Sequence, residues 1–178
     1  MAQVDQEINI MEVNMAEYVT KQMKDVLTLA DNYAKQHSTC DKTAVGCYIV
    51  AETEHRFVLA KGANCGEVNC KEYGCLRKQL YGNNSKEHRN VCRCIHSEID
   101  ALMRIPEDRL QFLTGATAFV TRYPCDDCTK ALVDAGIKKI VYGRPFPMSQ
   151  TAMTLCSKNG VRVSHVYDWN CDENDTNN

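Results

Sequence analysis

Two short runs constrain this chain more than any others: Ile95-His96-Ser97-Glu98, and Pro124-Cys125-Asp126-Asp127-Cys128. Each stands where an apolar helical period begins. "IHSEIDAL" enters one such period, and "YPCDDCTKAL" enters another directly after the β-branched run "ATAFVT". The two runs supply an imidazole, two thiols and a carboxylate, all at helix starts, where the backbone dipole favours thiolate over thiol. A fold that uses them together must bring two helix N-termini to one place.

The rest of the chain provides a frame of that kind. Apolar residues recur at helical spacing over 14–36 (Met15, Val19, Met23, Val26, Leu27, Leu29, Ala30, Tyr33), while 1–13 lack a period and read as a loose arm. "VGCYIVA" and "RFVLAKG", separated by the polar turn "ETEH", read as a hairpin. Residues 63–94 are polar, rich in Gly and Asn and dense in cysteine, too long for a loop without something to hold it. Helix and strand then alternate. "HSEIDALMRI" reads as a helix and "ATAFVTRY" as a strand. "DDCTKALVDAG" is a helix capped by Gly136, followed by the strand "KKIVYG", the helix "SQTAMTLCSKNG" and the strand "VRVSHVY". The acidic tail 168–178 reads as disordered. This order predicts a single α/β domain with a largely parallel second half, whose working crevice lies where strands end and helices begin.

Composition narrows the partners. The formal net charge is −2, without the basic excess expected of a protein that holds long nucleic acid. No apolar run is long enough to cross a membrane, and the acidic N-terminus is no export signal, so a cytoplasmic location is expected. Eleven cysteines without an export signal fit metal ligands and buried thiols better than a disulfide framework.

His96, Cys125 and Cys128 make three ligands for zinc with the fourth position left to water, the arrangement of a catalytic rather than a structural site. Glu98, two residues from His96, reaches that water without binding the metal, as a general acid–base. H-x-E followed by P-C-x-x-C is a known signature of zinc nucleobase deaminases.

The chain resembles the deoxycytidylate (dCMP) deaminases of the cytidine deaminase superfamily over 38–167, on "STCDKTAVGCYIV", "GANC", "CKEYGCLRKQLYGNNSKEHRNVCRCIHSE", "TRYPCDDC" and "AGIKKIVYG". The resemblance implies a three-layer α/β/α fold around a five-stranded mixed sheet and zinc-dependent conversion of dCMP to dUMP and ammonia. It also implies a homo-oligomer, often a hexamer, regulated by dCTP and dTTP, with Mg2+ accompanying a regulatory nucleotide. The family's Gly-aromatic-Asn-Gly turn is Gly62-Ala63-Asn64-Cys65 here: Asn64 matches the substrate-binding asparagine, and the aromatic and second glycine are absent. Cys70, Cys75, His88 and Cys92 resemble a second, structural zinc site that would staple the 63–94 insertion, with Cys65 or Cys94 as substitutes. Cys40, Cys47 and Cys156 read as ordinary buried thiols. Tyr123 is placed to pack on a base, and Lys42, Arg122 and Arg144 are candidate phosphate contacts. Two other classes stay open: a superfamily deaminase acting on tRNA adenosine, guanine or single-stranded DNA, and a non-catalytic zinc protein.

Overall fold

A computed structural model describes residues 2–82, 91–147 and 149–169, with side chains from Val19 onward. His88 lies outside the described residues, as do 170–178. The elements run α1 (Ala2–His37), β1 (Gly46–Ala51), β2 (Phe57–Ala63), α2 (Cys70–Tyr73), α3 (Leu76–Tyr81), α4 (Ser97–Met103), a 3-10 turn (Glu107–Phe112), β3 (Thr117–Arg122), α5 (Asp126–Asp134), β4 (Lys139–Arg144), α6 (Gln150–Lys158) and β5 (Arg162–His165). No helix among the described residues is long and apolar enough to cross a membrane.

The five strands form one mixed sheet in the order β2-β1-β3-β4-β5. β1 pairs antiparallel with both β2 and β3, while β3, β4 and β5 are mutually parallel. The hairpin and the parallel half expected from the sequence are both present. β1 is buried along its whole length and alternates faces, as strand geometry requires. Tyr48 and Val50 join Leu27 and Ala30 of α1, Phe119 and Val141 on one side. Cys47, Ile49 and Ala51 join Ala101 of α4, Leu132 of α5 and Cys156 of α6 on the other. The layers are therefore one helix, the sheet, and three helices. β3 and β4 are buried on both faces, which explains their unbroken apolar and β-branched sequences.

Two expectations need correction. Helix α1 starts at Ala2, so 2–13 are helical and not a loose arm; the segment lacks glycine and proline and is rich in good helix formers, and propensity supports the helix without a clear apolar period. Trp169, assigned to the tail, is instead core, with its Nε1 donating to Thr28 Oγ1 at 3.1 Å. Its ring lies so close to Gly143 that a Cβ there would meet it at 2.0 Å.

Candidate active site

Both ligand runs sit at helix N-caps. His96 is the N-cap of α4 and Cys125 that of α5, each extended in backbone (φ −74°, ψ 152° and φ −71°, ψ 172°). Helix α5 follows the carboxyl end of β3 directly, while α4 lies against β2 and β1. The contact with β2 depends on Gly62: a Cβ there would stand 2.1 Å from Ser97 O and 2.4 Å from Ala101 N. A glycine thus lets the strand backbone touch the first turn of the helix that carries His96 and Glu98.

Those caps bring the predicted ligands together. Nδ1 of His96 is 3.4 Å from Cys125 Sγ and 3.4 Å from Cys128 Sγ, and the three ligand atoms lie within 4.8 Å of one another. Zinc bonds of about 2.0–2.1 Å to nitrogen and 2.3 Å to sulfur at tetrahedral angles put N and S about 3.5 Å apart, so the donor set fits zinc. The electrostatics suit a thiolate site. The Cys128 thiol and His96 hold Cys125 down at about 4. Cys128 itself is pushed up, first by Cys125 and then by burial, with Glu98 adding to it. The Cys125 hydrogen bond raises His96 to about 9 against the opposing effect of burial.

Glu98 is 3% exposed, and burial raises its carboxyl above the usual range. Ser97 Oγ donates to its Oε2 at 3.0 Å. His96 is exposed and Cys125 half-buried, so the ligands face an opening while the carboxylate stands behind them, beside the Cys128 thiol. A water bound among the three ligands would have a buried proton acceptor next to it.

The remaining candidates separate. Asn64 is buried, and its Oδ1 accepts from Ser38 Oγ (2.7 Å) and Val45 N (2.8 Å) while its Nδ2 donates to Thr43 O (2.8 Å). The side chain therefore builds the 38–45 loop. Lys42 stands in that loop, its pKa lowered by burial and then by the nearby Arg77. Arg77 and Arg122 each keep a buried Nε without a hydrogen-bond partner. Arg144 is committed elsewhere: its Nη2 meets Asp31 Oδ1 of α1 at 2.7 Å, and its guanidinium lies 5.8 Å from the Trp169 ring centroid. Tyr123 is 3% exposed and packs edge-on to Tyr142 at 4.9 Å, beside Ala152 of α6, so it fills the strand end.

The cysteines of the insertion also regroup. Cys70 Sγ lies 3.9 Å from Cys94 Sγ, and Cys94 is also the largest influence on the Cys40 and Cys92 thiols, although among the described residues only His96, Cys125 and Cys128 place three ligand atoms within 4.8 Å of one another. Cys94 lowers Cys40 to about 6 and Cys92 to about 5. Cys75 is buried as the N-cap of α3. Cys40 is thus no ordinary core thiol and Cys94 no bystander. No spacing rule could place Cys40 here, because the loop after α1 meets the insertion only through the tertiary fold. Asp100 and Arg104 were also missed, although each stands four residues beyond its predecessor on the His96 face of α4, a spacing that sequence displays.

The chain is similar to known proteins over this same region. Residues 20–144 match the family model described as the cytidine and deoxycytidylate deaminase zinc-binding region. ComE operon protein 2 of Bacillus subtilis is 31% identical over 72% of this chain and 63% of its own length. The deoxycytidylate deaminase of Saccharomyces cerevisiae is 32% identical over 73% of this chain and 40% of its own length. The matches thus span less than two thirds of these relatives. The dCMP deaminase of cyanophage S-TIM5, solved in complex with dCMP and dUMP, is similar in fold at a TM-score of 0.59 and 23% identity, covering 82% of this chain and 96% of that one. With its His/Cys/Cys triangle closed by two helix N-caps and a family match that runs through both, the chain belongs to the cytidine and deoxycytidylate deaminase zinc-binding family.

Proposed function

We propose that this protein hydrolyses dCMP to dUMP and ammonia, supplying the precursor of thymidylate. The observation that carries the reading is the buried Glu98 beside a zinc-ligand triangle whose His96 is exposed and whose Cys125 is half-buried. Three protein ligands leave one position for water. The zinc, when bound by His96 Nδ1, Cys125 Sγ and Cys128 Sγ, supplies Lewis-acid activation of water. Glu98 takes the proton that water gives up and delivers it to the ring nitrogen beside C4. It later carries a second proton to the amine, which leaves as ammonia while the oxygen stays on the ring. Burial raises the Glu98 pKa, which suits a group that must hold a proton between these steps.

The preference for a free monophosphate rests on charge and on relatives. The chain is slightly acidic, which disfavours a long polyanion, yet Lys42 and Arg77 stand together on the loop and the insertion. Proteins named deoxycytidylate deaminase in yeasts and in mycobacterial and enterobacterial phages are among its relatives. A second zinc held by thiols that gather on Cys94 (Cys40, Cys70 and Cys92) would order an insertion that has little core of its own.

Ammonia release measured across dCMP, CMP, deoxycytidine and a cytosine-containing oligonucleotide tests the reading. Efficiency should be highest on dCMP. Equal efficiency on deoxycytidine and dCMP would overturn it.

A further inference from the structure

Helix α4 holds a buried acid that the chemistry does not use. Asp100 is 7% exposed, one helical turn beyond His96 and two residues beyond Glu98. Its two oxygens go in different directions: Oδ2 accepts the Ala63 backbone N–H at 3.0 Å, and Oδ1 accepts Arg104 Nε at 2.9 Å. Burial raises the Cys65 thiol's pKa, and the neighbouring Asp100 adds to that while Arg104 opposes it. On the other side of the catalytic pair, Cys65 and Ile95 exchange both backbone hydrogen bonds, at 3.1 and 2.6 Å. The turn 63–65 is therefore tied to the metal helix immediately before His96 and again two residues after Glu98.

The ties continue outward. Between the two fastened residues lies Asn64, whose side chain builds the 38–45 loop through Ser38, Thr43 and Val45. Lys42 stands in that loop. One unbroken set of hydrogen bonds thus runs from α4 through the turn to the loop that carries a cation.

We propose that Asp100 is a positioning residue, which through Ala63 sets the distance between the 63–65 turn, with the Lys42-bearing loop that Asn64 holds to it, and the proton-transferring Glu98. The inference rests on the dCMP reading above and deepens it. A plain strand-end acceptor would have satisfied the Ala63 N–H equally well. A carboxylate shared with Arg104 instead accepts two directed, charge-assisted bonds, which fix the turn in angle as well as in distance. Deamination is sensitive to that placement, since a displacement of about 1 Å can cost on the order of 10²-fold in rate.

The test uses the zinc-loaded full chain, with turnover of dCMP by the wild type established first; failure at that step counts against the proposed reaction and not against Asp100. Asp100→Glu keeps the charge and the acceptor but lengthens the arm by one methylene. Asp100→Asn keeps an oxygen of the original reach for Ala63, and Asp100→Ala removes the tie. KM for dCMP should rise on the order of tenfold in Asp100→Glu and more in Asp100→Ala, about what one lost hydrogen bond to a charged group costs in binding. Asp100→Asn, which keeps an acceptor for Ala63 but loses the one for Arg104, should fall between wild type and Asp100→Ala. Metal content should match wild type in all three, and KM should rise more than kcat falls. A purely structural acid would lower the unfolding temperature and the active fraction while leaving KM alone. If Asp100→Ala does not fold, Asp100→Glu and Asp100→Asn decide the matter. KM within twofold of wild type in Asp100→Glu overturns the proposal, and so does a KM that rises as far in Asp100→Asn as in Asp100→Ala.

Discussion

Replacing Glu98 by glutamine separates proton transfer from metal binding and from folding. The side chain is 3% exposed, so a bulkier or smaller residue would disturb packing, whereas glutamine keeps its shape and volume. An amide oxygen still accepts from Ser97 Oγ, now 3.0 Å from the carboxylate. Burial already raises the Glu98 pKa, so the neutral amide removes a desolvation cost and the unfolding midpoint should not fall. The three metal ligands are untouched, and zinc content should stay at the wild-type value. What disappears is the ability to accept and return a proton. A general acid–base group contributes about 10²–10⁴-fold, equivalent to about 2.7–5.4 kcal/mol of barrier, and Glu98 serves more than one step, so the upper half of that range is expected. The assay is ammonia release from saturating dCMP, alongside elemental analysis of the same sample. Turnover within about fivefold of wild type, with zinc intact, would refute the assignment of Glu98.

Other substitutions probe the supports of the site. Gly62→Ala should lower kcat/KM more than tenfold and destabilise by about 1–3 kcal/mol, because the new Cβ would stand 2.1 Å from Ser97 O and must push α4 away; thermal melts and kinetics read both effects. Arg144→Ala should cost about 1–3 kcal/mol in stability through the lost bond to Asp31, a cost limited because Lys35 also pairs with that carboxylate at 3.0 Å. KM for dCMP should not change in that variant, and a large KM increase would return Arg144 to the substrate site. On the proposed second zinc, Cys94→Ser should lower zinc content, as measured by elemental analysis, by more than Cys75→Ser does, since Cys70 Sγ lies 3.9 Å from Cys94 Sγ and Cys94 is the largest influence on the Cys40 and Cys92 thiols. Leu27→Ala, at a fully buried position where α1 meets the sheet, should cost about 2–5 kcal/mol in chemical denaturation and leave zinc content alone.

The parts of the molecule that sequence displays are those governed by local periods and short spacings. β1 and β2 announce themselves by β-branched runs around a polar turn, and α5 and α6 by apolar periods that end on Gly136 and Gly160, both at positive φ. The catalytic constellation was legible because its spacings are short and each half opens a helix, so only the meeting of the two halves depended on the fold. Longer-range partnerships were not visible. The pairing of Arg144 with Asp31 joins β4 to α1 across most of the chain, and nothing near either residue marks it. Cys40 reaches the insertion only because the loop after α1 and the segment before α4 meet at one end of the sheet. Trp169 looked like part of an acidic tail because its neighbours are acidic and polar, while its own place is set by the bare backbone of Gly143 beneath it.

The run from Cys92 to Glu98 then acquires a mechanical meaning. Cys92 and Cys94 belong to the thiol cluster, Ile95 is bridged to Cys65, and His96 and Glu98 belong to the catalytic site, all within seven residues. An extended chain spans at most about 3.3–3.6 Å per residue, so His96 cannot sit more than about 7 Å in backbone reach from Cys94. Any reorganisation of the thiol cluster is therefore transmitted to the zinc ligand with little slack. The Cys65–Ile95 bridge adds a second anchor between the two centres, and Asp100 a third beyond them. Placement of the Cys92–Cys94 segment and of the catalytic histidine are consequently mechanically coupled. A variant that disrupts the thiol cluster, such as Cys94→Ser, should therefore bind zinc less tightly at the His96 site, even though none of that site's ligands has changed.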